Sequence, residues 1–165
     1  MEIVIASVGS PHAIIDPIHD YGGLIFTDVA SMQHVEKAVA AGTDGLILLA
    51  AGAGGQTGWA NPFAFVRQVR EVFDGPVVLA GGVADGTALY AAEVLGCDLA
   101  YMGTRFIASR ESLAAEGYKR MIVDSGMDDI TLTRAFTGLE TNMIRQSIEA
   151  AGSILTVSPS GICEI

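Results

Sequence analysis

The sequence has few cysteines, few basic residues and no long apolar run. Its two cysteines, Cys97 and Cys163, lie far apart without a Cys-x-x-Cys pattern, so neither a disulfide framework nor a zinc site is expected. None of the three histidines belongs to a metal-binding pattern, so no metal site is predicted. Nine Lys and Arg against 19 Asp and Glu give a net charge of −10, which argues against general nucleic-acid binding. An anionic ligand would therefore need a local site.

Membrane-associated and disordered chains are also disfavoured. No apolar run approaches the about 18–20 residues that span a bilayer, and the N-terminus lacks the basic start and apolar stretch of a signal peptide. We therefore expect a soluble, cytoplasmic protein with no membrane partner. Half of the 165 residues are apolar, and this length falls within the range of about 100–200 residues for one domain. The composition predicts one globular domain.

Short runs rich in Val, Ile and Leu alternate with segments of helical period, which predicts α/β architecture with repeated β/α units around a parallel sheet. Continuous apolarity is typical of strands that are covered on both faces. We expect a domain over residues 1–152 and an irregular C-terminal tail over 153–165. Five strands are predicted, at Ile3–Ala6, Leu24–Thr27, Gly45–Leu49, Pro76–Ala80 and Leu99–Met102.

The helices between these strands have recognisable start and stop signals. Ser31 is a predicted N-cap, and Gly42 ends the helix that follows it. Asn61 and the proline after it predict a second helix start. Asp85 and Gly96 bracket a third helix.

One β/α unit is longer than the others. The extra length lies between Ala50 and Pro62, in a connection that follows the third predicted strand. Because α/β folds place ligands at the carboxyl ends of parallel strands, this loop is a candidate functional segment. It contains four glycines, at positions 52, 54, 55 and 58.

A second candidate is the Gly81-Gly82 turn between a buried strand and the helix at Asp85. Glycines permit a close backbone approach, and N–H groups backed by a helix dipole can hold a phosphate without a basic side chain. The alternative is a tight turn that binds nothing. One unit later, Gly103 and Thr104 follow the next strand, and (β/α)₈ barrels form their phosphate site from such neighbouring connections. The two loops together predict a site for a cofactor or substrate phosphate.

Three segments in this order carry a family resemblance: Ala51 to Gly58, Leu79 to Gly86, and Met102 to Phe106. Together with Ala135 to Gly138 near the end, they resemble the nitronate monooxygenase family. The resemblance implies a TIM-barrel flavoenzyme that uses FMN and oxidises alkyl nitronates with oxygen, or a related flavin-dependent reductase. About five of the eight β/α units of such a barrel are present, which is an incomplete barrel.

The resemblance also assigns site residues. The family's glycine-rich loop continues Gly-Gly-His, where the histidine serves the small-molecule substrate, but this chain has Gln56 there. An amide donates and accepts hydrogen bonds but takes no proton near neutral pH, so Gln56 is a catalytic candidate without base function. Alternatively, Gln56 only fixes the loop backbone. The implied cofactor contacts are Gly54, Gly81, Gly82, Tyr101, Met102, Gly103 and Thr104.

The chain starts where the family would already be at its fourth strand. We expect a fragment, a truncated gene product or a half-barrel that another chain completes. Unpaired parallel edges favour a homo-oligomer or a complementing chain. The competing interpretations are a non-catalytic module that binds a phosphate ligand and an inactive barrel fragment.

Overall fold

The computed structural model describes residues 2–152 and the backbone of two short strands, at 156–157 and 163–164. The strands are β1 Ile3–Ala6, β2 Leu24–Val29, β3 Gly45–Leu49, β4 Gly55–Gln56, β5 Val77–Ala80, β6 Leu99–Tyr101, β7 Ile130–Thr133, β8 Thr141–Ile144, β9 Thr156–Val157 and β10 Cys163–Glu164. The helices are α1 His12–Asp20, α2 Met32–Ala41, α3 Pro62–Arg70, α4 Gly86–Leu95, α5 Thr104–Ile107, α6 Glu116–Asp124 and α7 Arg145–Ala150. A 3₁₀ helix spans Met127–Asp129.

The chain divides into two compact units. Unit 1 consists of Met1–Ala51 and Gly58–Tyr101, and unit 2 consists of Gly52–Thr57 and Met102–Ile165. The expected single domain over residues 1–152 stays a prediction.

Unit 1 contains a five-stranded parallel sheet in the order β1-β2-β3-β5-β6. This confirms the predicted α/β class with five parallel strands. Strands β1 and β3 have the predicted bounds, whereas β2 continues to Val29, β5 begins at Val77 and β6 ends at Tyr101.

The core of unit 1 lies around its three central strands. Ile25, Leu46 and Val77 are fully buried on one face of the sheet, and Phe26 and Val78 pack with their neighbours on the other. The prediction that strands are covered on both faces therefore holds for β2, β3 and β5. It is wrong for the edge strands, since the exposed apolar side chains there are Ile3 (56%), Ile5 (45%), Leu99 (54%) and Tyr101 (52%).

The predicted helix signals are confirmed. The Ser31 Oγ accepts a hydrogen bond from the backbone of α2, and Asn61 Oδ1 does the same for α3. Asp85 Oδ1 caps α4. Gly42 and Gly96 end α2 and α4 with φ of 96° and 112°, which favours glycine because it lacks a Cβ.

Two aspartates bind strands together at the amino end of the sheet. Asp44 Oδ2 accepts from the backbone N–H of Ile25 at 2.8 Å, and Asp98 Oδ2 accepts from that of Val77 at 2.8 Å. Arg70 Nη2 also donates to Asp98 at 2.6 Å. The backbone hydrogen bond, assisted by Arg70, holds the pKa of Asp98 below its usual value against the opposing effect of desolvation. Both contacts lie at the amino end of the sheet, whereas the candidate loops follow the carboxyl ends of its strands.

Unit 2 contains a second sheet that the sequence did not predict, in the order β4-β8-β7-β10-β9. Strands β7 and β8 are antiparallel, and β4, from the long loop, pairs antiparallel with β8. Most of the predicted irregular tail, 153–165, lies outside the described residues; within it, β10 pairs with β7 and β9. Of the helices in the described residues, none has the length and apolarity needed to cross a membrane.

Candidate functional site

In unit 1, the Gly81-Gly82 turn directly follows β5. Both glycines have positive φ, 129° and 72°, a conformation that L side chains rarely adopt. A Cβ on Gly82 would meet no atom within 4 Å, so the space beside this backbone is open. Within residues 2–152, neither glycine N–H donates a hydrogen bond. The turn therefore presents two backbone donors at the carboxyl end of a buried strand.

The helix after this turn begins with the predicted Asp85 cap. The Ala88 N–H, in the first turn of α4, donates to Asp85 Oδ1 at 2.9 Å. This cap satisfies one N–H group of the first turn and places a carboxylate beside the loop. The expected contribution of the helix start to a phosphate site stays a prediction.

Tyr101 lies at the same end of the sheet as the turn. Its register partner on β5 is Ala80, the residue before Gly81, so the turn and Tyr101 end two adjacent strands at one level. Tyr101 is half-exposed. An aromatic ring and two backbone donors thus share the carboxyl edge of β5 and β6.

The ends of the long loop are fixed in unit 1. The Ala51 N–H donates to the Ala60 carbonyl at 2.8 Å. Gly58 passes so close to the Leu49 carbonyl oxygen that a Cβ there would overlap it. A glycine is therefore required at position 58 for packing alone.

The middle of the loop belongs to unit 2, where it is held by β8. Gln56 pairs with Thr141, and the Asn142 side-chain amide donates to the Ala53 carbonyl at 2.8 Å. The backbone at Gln56 is thus held as a strand, while its side chain is exposed. An exposed amide on a fixed backbone suits ligand binding. The backbone is held by strand pairing and by the Asn142 side chain, not by the Gln56 side chain.

Gly54 lies against Thr104, another predicted residue of unit 2. A Cβ on Gly54 would overlap the Thr104 hydroxyl oxygen, so this glycine permits close approach to Thr104. Gly103 precedes α5, Thr104 is its first residue, and Met102 is half-buried. The structure therefore brings Gly54 and Thr104 together in unit 2, and the Gly81-Gly82 turn and Tyr101 together in unit 1.

Two residues of this region were missed by the sequence analysis. Asn142 gave no local signal, since its role depends on Ala53, 89 residues away. Asp28 did give one, because it is a charged residue inside the apolar run of β2. It was missed because the predicted strand ended at Thr27.

Asp28 is a partly buried carboxyl on the same face of the sheet as Phe26. Its Oδ1 is buried and has no hydrogen-bond partner among the described residues. Burial raises the pKa of Asp28, although a hydrogen bond with the Ser7 side chain opposes the rise. The fold therefore favours the neutral acid.

Asp28 should make the chain less stable as pH rises. Because the folded-state pKa exceeds the ordinary value of 3.8, the folded state binds the proton more tightly, and stability falls as pH rises from about that value through the folded-state pKa. We expect Asp28→Asn to raise the melting temperature at pH 7 and to flatten this decline in thermal unfolding. The matched change Asp20→Asn, on an exposed residue, should do neither. An unchanged pH profile in Asp28→Asn would contradict the assignment.

Known proteins with similar sequences or structures match most of this chain. The Nitronate monooxygenase family model matches residues 1–157. A nitronate monooxygenase from Paraburkholderia phytofirmans is 30% identical over 161 residues, covering 92% of this chain and 44% of the relative. FabK from Thermotoga maritima has a TM-score of 0.81 and 32% identity, covering 90% of this chain and 50% of that one. A nitroalkane oxidase from Streptomyces ansochromogenes has a TM-score of 0.78 and 29% identity, covering 87% and 45%.

These similarities support the TIM-barrel type of β/α unit predicted from the sequence. The chain spans about half the length, or less, of these relatives. The match of the family model over nearly the whole chain agrees with the glycine-rich motifs and their positions. The chain belongs to the nitronate monooxygenase family.

Proposed function

We propose that this chain provides the FMN-binding part of an oxidoreductase that oxidises alkyl nitronates with oxygen. The observation that carries the proposal is the Gly81-Gly82 turn, with two unused N–H donors and open space at the carboxyl end of β5. The motifs shared with the family and the similarity to a nitroalkane oxidase structure support the same class of activity.

The turn fits a phosphate group for an electrostatic reason. A chain with net charge −10 repels a dianion in general, so attraction must come from donors that lie very close to it. Successive backbone N–H groups in a turn can form such an anion-binding concavity. Gly81 and Gly82 would donate to the phosphate oxygens, and Tyr101 would contact the cofactor. The contacts expected from Gly54, Met102, Gly103 and Thr104 stay predictions.

The substrate side of the proposal depends on Gln56. FMN, when bound, supplies the redox chemistry of the oxidation. The Gln56 amide would donate a hydrogen bond to a nitronate oxygen and thereby orient the anion. The amide cannot accept a proton near neutral pH, so the substrate has to arrive already deprotonated.

The test is oxygen consumption with propyl-2-nitronate after the chain has been supplied with FMN and with the part of the Paraburkholderia relative that it does not span. We expect the yellow complex to survive gel filtration and to consume oxygen only when the nitronate is added. Flavin retention without oxygen consumption would favour the non-catalytic module. Oxidation of a nicotinamide cofactor without a nitronate would favour the related reductase.

The sheet edges give a further proposal, that the chain associates through them. The outer edges of β1 and β6 pair with no strand among the described residues, and half-exposed Ile3, Ile5, Leu99 and Tyr101 lie on these strands. Such edges favour pairing or aggregation. Expressed alone, the chain should be an oligomer or a loosely packed state by light scattering and near-ultraviolet circular dichroism. A monodisperse monomer with sharp, cooperative unfolding would contradict this prediction.

A further inference from the structure

Unit 2 contains an open groove between the segment after α5 and helix α6. Its volume is about 280 Å³, and its walls come from residues 108–110 and from one face of α6. Three of the nine basic residues of the chain line it, namely Arg110, Lys119 and Arg120. The groove therefore concentrates positive charge in a chain whose net charge is −10.

Two of these cations are not used to hold the described structure together. Arg70 and Arg134 each pair with a carboxylate, and Arg145 donates to a backbone carbonyl. The side chains of Arg110 and Arg120, by contrast, donate no hydrogen bond to any residue in 2–152, although the chain has 19 acidic residues. Each guanidinium offers five N–H donors in a planar arrangement that suits phosphate oxygens.

The third cation, Lys119, is buried, and its ion pair with Glu116 offsets the cost of that burial only weakly. Lys119 is only 8% exposed, and its Nζ lies 3.2 Å from Glu116 Oε1, on a side chain that is 85% exposed. An exposed carboxylate contributes little to the stability of such a pair, whereas burying an ammonium is costly. An anion held inside the groove would offset that cost better than Glu116 does.

A second carboxylate lies close to the groove. The pKa of Glu111 is lowered first by its own backbone N–H, then by a hydrogen bond with the Ser109 side chain, and also by the charge of Lys119. Three cations against the two carboxylates Glu111 and Glu116 leave the groove positive.

We propose that the groove formed by Arg110, Lys119 and Arg120 binds the phosphate or diphosphate group of a small organic ligand. Two guanidinium groups and an ammonium match the charge of such a group, and guanidinium–phosphate hydrogen bonds are among the strongest in proteins. None of these residues belongs to the proposed FMN or nitronate contacts. The proposal therefore stands independently of the proposed function.

The test uses the full chain and two probes, inorganic pyrophosphate and ADP, with binding measured by calorimetry and by phosphorus NMR. We expect saturable binding of pyrophosphate that weakens with added salt. Equal affinities would assign the groove to the diphosphate alone, and tighter binding of ADP would show that it also holds the organic part. Absence of saturable binding by both probes would overturn the proposal.

Variants of the groove residues locate the site, and two of these residues, Glu116 and Arg120, are exposed, so that their substitution leaves the core intact. Arg120→Gln should weaken pyrophosphate binding about tenfold or more, the loss typical of a charge-assisted hydrogen bond. Glu116→Gln should strengthen binding, because it removes both a repulsive charge and the competitor for Lys119. Lys119→Met, checked for folding by circular dichroism, should weaken binding further.

Two neighbouring residues on α2 provide the matched controls. Lys37→Gln and Glu36→Gln carry the same charge changes on exposed positions of unit 1 and should leave the affinity within about twofold. If they change the affinity as much as the groove variants, binding follows the net charge and the proposal is wrong. Binding at the Gly81-Gly82 turn instead would be insensitive to Arg120→Gln, which would also overturn it.

Discussion

Replacing Gly82 with aspartate should abolish FMN binding by the chain once it is combined with the part of the Paraburkholderia relative that it does not span. The open space beside Gly82 accepts a side chain sterically, so a carboxylate would project where the phosphate is proposed to bind. Like charges in direct contact cost several kcal/mol, which corresponds to at least about 100-fold weaker binding. Flavin absorbance that stays with the protein after gel filtration measures the effect.

Gly82→Asn is the matched control for this substitution. Position 82 has φ of 72°, and both Asn and Asp tolerate this left-handed conformation better than other side chains. The two variants therefore carry a similar backbone penalty and a similar volume but differ in charge. We expect Gly82→Asn to keep a substantial share of the bound flavin. Stoichiometric FMN in Gly82→Asp would place the phosphate elsewhere, and equal loss in both variants would show that backbone strain, not charge, is responsible.

The sheet of unit 1 could be predicted because its signals are local. The runs that form β2, β3 and β5 are apolar enough to require burial wherever they lie, and Ser31 and Asn61 cap helices through residues two or three positions away. Such interactions are visible in a short window of sequence. The predicted strand bounds fail only by one or two residues at their ends.

The second sheet could not be predicted in the same way. Strand β4 is the dipeptide Gly55–Gln56, which has no β-forming residue, and it exists because it pairs with Thr141 and Asn142 of β8. That pairing joins segments more than 80 residues apart, and Asn142 secures it by its bond to Ala53, 89 residues away. The length and the glycines of the loop pointed to its importance but not to its pairing with β8.

Asp28 shows where reliance on apolar periodicity misleads. A carboxylate interrupts the run Leu24–Val29, and the natural inference is that the strand has ended. In the structure the strand continues through Asp28, since its backbone pairs with Ile47 of β3 whatever its side chain is. The cost appears instead as a raised pKa and a buried carboxylate oxygen that has no partner among the described residues.

If the proposed function holds, Gln56→His should extend the activity of the same combined protein from nitronates to neutral nitroalkanes. The unmodified protein should oxidise a nitronate while reacting poorly with its parent nitroalkane, because an amide cannot remove the α-proton. A histidine with an ordinary pKa near 6.5 can act as that base, and a positioned base contributes about 10²–10⁴-fold. We expect the nitroalkane rate to rise by part of this factor, as measured by oxygen consumption with both substrate forms.

Because of the position of Gln56, the substitution by histidine should change the side chain without changing the loop. Its backbone is held by β8 and its side chain is exposed, so the imidazole should take the place of the amide without moving the loop. Gln68→His, on the exposed side of α3, introduces the same group elsewhere and should change neither rate. Gln56→Ala should slow the nitronate reaction by removing the hydrogen bond to its oxygen. Equal rates with nitronate and nitroalkane in the unmodified protein, or an unaltered rate in Gln56→Ala, would remove Gln56 from the mechanism and leave the loop a structural connection between the two units.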